Sequence, residues 1–216
     1  MTELIVIRHG ETDWNRQHRF QGQIDVPLNA AGQAQAQRLA DRLADERFDV
    51  VVASDLQRAR TTAEAATSAK GIDVQTEPLW REQAFGVLEG LDVPTIVERH
   101  PDLWASWIRH DADYALPGGG ESVRSFHARV WRAVESLAQR HAGARIAVFT
   151  HGGVLDMLWR AAQGLTLHGP RACEIPNTGI NRLHWDGNAL RIVQWADAAH
   201  LEGLPAQPDT TPISAA

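Results

Sequence analysis

Three short apolar runs constrain this chain more than any other feature of its sequence: residues 4–7, 48–53 and 144–150. Each is rich in β-branched or small apolar residues, has the length of a strand, and leads into a stretch of helical composition. Strand followed by helix, repeated, specifies parallel strands joined through crossover helices and buried on both faces. The expected fold is therefore α/β, a three-layer α/β/α arrangement with a mostly parallel central sheet. Weaker strand signals at residues 72–77, 179–185 and 190–195 add to it, the last two as an antiparallel edge hairpin turning at Asp186-Gly187-Asn188. Helices are expected over residues 30–44, 55–69, 94–109, 122–141 and 154–163. Ser54 and Gln57 have the spacing of a capping box, which places Arg58 in or near the first turn of the second of these.

The length of 216 residues suits one domain, taken as residues 1–200. Between 82 and 121 the pattern becomes irregular, with Trp104, Trp107, Pro117 and the triplet Gly118-Gly119-Gly120, and reads as a small helical cap insertion over a site. The glycine triplet lacks the lysine of a nucleotide-binding loop and reads as a turn before a helix. Residues 201–216, rich in Pro, Thr and Ala, are expected to form a flexible tail. A formal net charge of −6 gives no pull toward nucleic acid, and no basic tract offsets it. Cys173 stands alone, so no intramolecular disulfide can form, and it reads as an inert thiol. The first residues lack the basic start and long apolar stretch of a signal peptide, and no span suits a membrane; a cytoplasmic location is expected.

The chemistry-bearing residues fall where the strands end. Arg8-His9-Gly10-Glu11-Thr12 follows the first run directly, and His151-Gly152-Gly153 follows the third. Open α/β sheets bind ligands at the carboxyl ends of their strands, so two histidines far apart in sequence are expected in one crevice, with Arg58 reaching the same edge. Two guanidinium forks, imidazoles and helix-start amides together suit a small dianion such as phosphate. A neutral imidazole there can attack phosphorus when its other ring nitrogen is held as a donor. The remaining eight histidines show no zinc-ligand spacing, and no metal or other cofactor is expected.

With those residues in view, the sequence resembles the histidine phosphatase superfamily, the group that includes cofactor-dependent phosphoglycerate mutases and many small-molecule phosphatases. The resemblance runs to about Trp195. It rests on Arg8 to Thr12 with Trp14-Asn15, on Arg19-Phe20-Gln21-Gly22, on Pro27-Leu28 with Gly32, and on Ser54 to Ala59 with Thr61-Thr62. It continues through Glu82, Phe85-Gly86, Glu89-Gly90, Pro117, Gly119 to Ser122 and His151-Gly152-Gly153. Four fixed letters such as Arg-His-Gly-Glu arise by chance in roughly one chain of this length per thousand, and the ordered set is far rarer. The resemblance implies a phosphoglycerate mutase-like fold, His9 as nucleophile, and Arg8, Arg58 and His151 as holders of the transferring phosphoryl group. It also implies Glu82 as proton donor, and contacts to phosphate or substrate from Asn15, Gln21 and Gly22.

The implied activity is hydrolysis of a small phosphorylated metabolite through a phosphohistidine. Phosphoglycerate mutase-type transfer stays open as an alternative, as does an inactive phospho-ligand-binding protein. Hydrolysis is favoured because the chain lacks the longer middle insertion and the extended basic C-terminal segment associated with the dedicated mutases. An edge strand or an exposed tryptophan surface leaves room for a homodimer.

Overall fold

The computed structural model describes residues 1–208. In chain order its elements are β1 (Thr2–Arg8), α1 (Asp13–Arg16), α2 (Ala30–Arg42), β2 (Val50–Ala53), α3 (Gln57–Thr67) and β3 (Val74–Thr76). They continue with α4 (Val93–Arg99), α5 (Pro101–Trp107), α6 (Val123–Arg140), β4 (Arg145–Thr150), α7 (Gly152–Gln163), β5 (Ile180–Trp185) and β6 (Leu190–Asp197). Six strands form one sheet in the order β3-β2-β4-β1-β5-β6. The first four of that order run parallel, whereas β5 and β6 add an antiparallel hairpin at one edge. Asp186 closes that hairpin by accepting the N–H groups of Asn188 and Ala189, with Gly187 at φ 109°.

The strands alternate between two cores. Leu4 and Val6 of β1, Val50 and Val52 of β2, and Ile146 and Val148 of β4 face α6 and α7. Their neighbours Ile5, Ile7, Val51, Ala53, Ala147 and Phe149 face α2 and α3. Burial on both faces is why these strands read as continuous apolar runs instead of alternating ones. A separate apolar cluster of Leu88, Ile96 and Leu116, with Phe20, Phe85, Trp104 and Trp107 against it, holds the 82–121 segment together.

Three local expectations need correction. Ser54 does not cap a helix starting at residue 55: α3 starts at Gln57 behind Leu56, without a side-chain cap, and the Ser54 hydroxyl is used elsewhere. The helix expected over 94–109 is two helices, because Pro101 has no N–H to donate and forces His100 out of the helical region to φ −138°. Helix α7 starts at Gly152, two residues early, with the His151 side chain turned away from a capping role. In the segment expected to be a tail, Gln207 clasps Asn177, accepting its N–H at 2.7 Å and donating to its carbonyl at 3.0 Å. Residues 209–216 lie outside the described residues. Among the described residues no helix is long and apolar enough to cross a membrane.

Candidate active site

Strand β4 lies between β2 and β1, so three adjacent parallel strands end side by side and deliver Ser54, His151 and Arg8-His9 to one place. The His9 Nδ1 bonds the Gly10 carbonyl at 2.7 Å. A carbonyl only accepts, so Nδ1 carries the hydrogen and Nε2 keeps its lone pair. The His9 backbone is clamped on both sides: its N–H donates to Thr150 O, and its carbonyl accepts from Asn177 Nδ2. Gly10 must be glycine, since a Cβ there would lie 2.6 Å from the Gly32 carbonyl.

His151 stands 5.2 Å from His9, ring centre to ring centre. Its Nε2 is 2.8 Å from the Ser54 Oγ, which also accepts the Leu56 N–H at 3.3 Å. Among the described residues the hydroxyl hydrogen has no other acceptor than Nε2, so it points there, and His151 keeps its ring hydrogen on Nδ1 as a free donor. Both rings are buried, and burial, followed by the charge of Arg58, holds both well below the usual histidine range. Both are therefore neutral at pH 7, and His9 is competent to donate an electron pair.

Arg8 and Arg58 are buried beside them. Arg8 Nη1 donates to Ile175 O, while the Arg58 Nη groups donate to Gly22 O and Ile24 O. Burial pushes each guanidinium down to about 10, and among the described residues no carboxylate forms an ion pair with either. Around the pocket, four buried nitrogens have no hydrogen-bond partner among the described residues: Arg8 Nε, Arg58 Nε, Arg171 Nε and His151 Nδ1. An unpaired buried donor costs about 1–3 kcal/mol, more when charged, and an oxyanion in the pocket would recover that cost. The pocket, about 210 Å³, is lined by His9, Arg8, Arg58, Asn15, Gln21 and Glu82 among others.

Glu82 arrives from the loop that follows β3. Its Oε2 accepts the Gly153 N–H at 3.0 Å and its Oε1 accepts the Gln83 N–H at 2.8 Å. The approach requires glycine at 153, because a Cβ there would overlap Oε1. Arg129 secures the segment, donating to the carbonyls of Leu79, Arg81 and Glu82 while paired with Glu121. Asn15 and Thr12 cap each other across α1, with Asn15 Oδ1 accepting the Thr12 N–H. Gly22 carries φ 51° and packs against the Glu89 carboxylate, which accepts the Gln23 and Phe85 N–H groups. Glu11, the fourth letter of the first motif, faces away from the pocket and joins Arg16 to Asn29.

This geometry can be compared with known proteins. The family model described as histidine phosphatase superfamily (branch 1) matches residues 4–198. This chain belongs to the histidine phosphatase superfamily. It is 37% identical over 203 residues to the Arabidopsis thaliana phosphoglycerate mutase-like protein 4, covering 93% of this chain and 87% of that one. It is 36% identical over 207 residues to the A. thaliana metal-independent phosphoserine phosphatase, covering 94% and 85%. The solved structure of Bacillus stearothermophilus YhfR superposes with a TM-score of 0.85 at 30% identity, covering 94% of this chain and all of that one.

Within this histidine phosphatase fold, every residue expected at the site meets in the one pocket or borders it. Three others lay outside the expectation. Ser54 was legible only as a helix cap, although its place after a strand matches that of the two histidines. Asn177 and Arg171 sit in the loop before β5, where Thr178 takes φ 55° and donates its N–H to Arg8 O. No motif spacing marks that loop. Trp104 and Trp107 border a second cavity next to the first. Burial pushes the Cys173 thiol up to about 12, in keeping with an inert role.

Proposed function

We propose that this chain is a phosphatase that hydrolyses a small-molecule phosphate monoester through a phosphohistidine on His9. The lone pair of His9 Nε2 attacks phosphorus as the ester P–O bond breaks, and Glu82 delivers a proton to the departing oxygen. The resulting carboxylate then takes a proton from water, which attacks phosphorus, breaks the P–N bond and releases phosphate. Arg8, Arg58 and the Nδ1–H of His151 take the charge that spreads over the three phosphoryl oxygens, a role that needs no metal in principle. The observation that carries this reading is the ring of unpaired buried donors around an imidazole whose Nδ1 is locked.

The test is phosphate release from a panel of monoesters in the presence of a chelator, with trapping of the labelled intermediate by an alkaline detergent quench. Wild type should form an acid-labile, base-stable phosphoprotein, and His9→Ala should form none. Turnover by His9→Ala at the wild-type rate would end the proposal. The likeness to a mutase-like relative keeps a second reading alive, in which the phosphoryl group returns to another hydroxyl. Retention of label in an isomerised phosphoglycerate, without free phosphate, would select it. The apolar cavity beside the pocket supports hydrolysis, since a three-carbon acid with two anionic ends has little use for it.

A further inference from the structure

The cavity bordered by Trp104 and Trp107 encloses about 270 Å³. Its walls include Phe20, Phe85, Trp104, Trp107, Phe126 and Met157, contributed by the loop after α1, the 82–121 segment, α6 and α7. Phe20, Phe85 and Trp107 stand edge to face, with ring centres 5.1 to 5.9 Å apart, so three rings brace one another as a wall. An apolar cavity of about 150 Å³ already accommodates benzene, so this one has room for a substituted ring.

Three residues border both this chamber and the phosphate pocket: Phe20, Phe85 and Arg171. Arg171 forms no ion pair or hydrogen bond among the described residues, and its Nε is buried and unpartnered. It lies against another cation: the position a Gly152 Cβ would take is 3.6 Å from Arg8 Nε and 3.8 Å from the Arg171 Nη atoms. The charge of Arg171 also lowers the affinity of Arg8 for its proton. The loop that presents Arg171 is held firmly. Buried Arg160 donates to the carbonyls of Thr166, His168, Gly169 and Pro170, and pairs with Asp156.

Charge balance then says what Arg171 is for. A phosphate monoester dianion matches Arg8 and Arg58, Arg19 at the rim donates to the Gly90 carbonyl, and in the chamber Asp156 pairs with Arg160, which leaves Arg171 as the guanidinium facing both cavities with no carboxylate paired to it among the described residues. That charge sits at the junction, where the leaving group departs from phosphorus into the chamber. We propose that the leaving group is a ring-bearing, largely apolar alcohol seated in the chamber, with a carboxylate close to the ester that pairs with Arg171. This deepens the phosphatase reading and rests on it. Arg171 is in this view the residue that reads the leaving group, and the aromatic wall sets its size.

Binding of non-hydrolysable phosphonates tests this without turnover. Four ligands suffice: propylphosphonate, phenylpropylphosphonate, and the counterpart of each carrying a carboxylate two carbons from phosphorus. With wild type, calorimetric Kd should fall about tenfold or more when the ring is added. It should fall about tenfold again when the carboxylate is added. Trp107→Ala should erase the first ratio and keep the second, and Arg171→Met should do the reverse. Ratios within one protein are insensitive to partial misfolding. A ring gain below twofold in wild type would overturn the chamber assignment. Equal weakening of all four ligands by Arg171→Met would make Arg171 a phosphate ligand and overturn its role here. Failure of phosphohistidine trapping with both gains intact would instead remove the catalytic reading and leave the binding preference standing.

Discussion

The two cavities of this molecule lie side by side and are built in opposite ways. The phosphate pocket is made from the last residues of β1, β2 and β4, with backbone carbonyls and amides fixing nearly every side chain. The chamber is made from loops, the short helix α5 and the facing sides of α6 and α7, and its walls are side chains packed on one another. A rigid sheet edge holds reacting groups within tenths of an ångström, which chemistry requires. Side-chain walls fix shape and polarity, which selection among esters requires. Damage at the first should strike all substrates alike, and damage at the second should depend on the ester.

The largest expected effect is at His9. His9→Ala should lower turnover by at least about 10⁴-fold for every ester, because no other group can form the covalent intermediate. Steady-state phosphate release across the panel checks this. An ester-dependent loss would mean that the uniform behaviour assigned to the strand ends is wrong.

Next comes the glutamate. Glu82→Gln should slow turnover by about 10² to 10⁴-fold while orthovanadate still inhibits, since the amide cannot supply a proton. Gly153→Ala should approach the same loss from a distance, because the new methyl displaces Glu82 Oε1 without removing the carboxylate. The loss in Glu82→Gln should shrink for esters of acidic alcohols, whose oxygens leave without help. If Gly153→Ala is as active as wild type, Glu82 has freedom that its two amide contacts deny it.

The same contrast explains what the sequence made readable. At the strand ends the chemistry needs particular residues at particular places, so Arg8, His9, Arg58 and His151 announced themselves through local motifs and strand positions. Ser54 was misread because one hydroxyl suits two local jobs, and only the pairing of β2 with β4 brings His151 to it. Arg171 and Asn177 were invisible because their place depends on how a structureless loop folds back over β1, through the Thr178 N–H and Ile175 carbonyl. The sheet was legible to within a few residues from its apolar runs. The helix expected over 94–109 was run through Pro101, whose missing N–H and fixed φ start α5 afresh there.

A smaller effect belongs to the support of His151. Ser54→Ala should lower kcat about tenfold, because His151 Nδ1 keeps its position but loses the partner that fixes its tautomer. Its pH profile should change as well, which a merely structural loss would not produce. Ser54→Thr, which keeps the hydroxyl, should recover most of the rate. Equal defects in both variants would place the role of Ser54 in packing under β2.

The smallest effect is thermodynamic and concerns the cost of holding neutral histidines among cations. The unfolded chain protonates its imidazoles near pH 6.5, whereas burial and Arg58 delay protonation of His9 and His151 to lower pH in the folded chain. Between those values the unfolded state carries more protons, so acid favours it. Ligand-free stability should thus be flat near neutrality and fall as pH drops below 6.5, by up to about 1.4 kcal/mol per pH unit for each such group. His110, His127 and His200 are shifted the same way by burial, so the wild-type curve alone does not isolate the pocket. The difference between wild type and His9→Ala does. Urea denaturation at a series of pH values should show a shallower acid slope in the variant, and parallel slopes would mean that His9 is not held neutral by its surroundings.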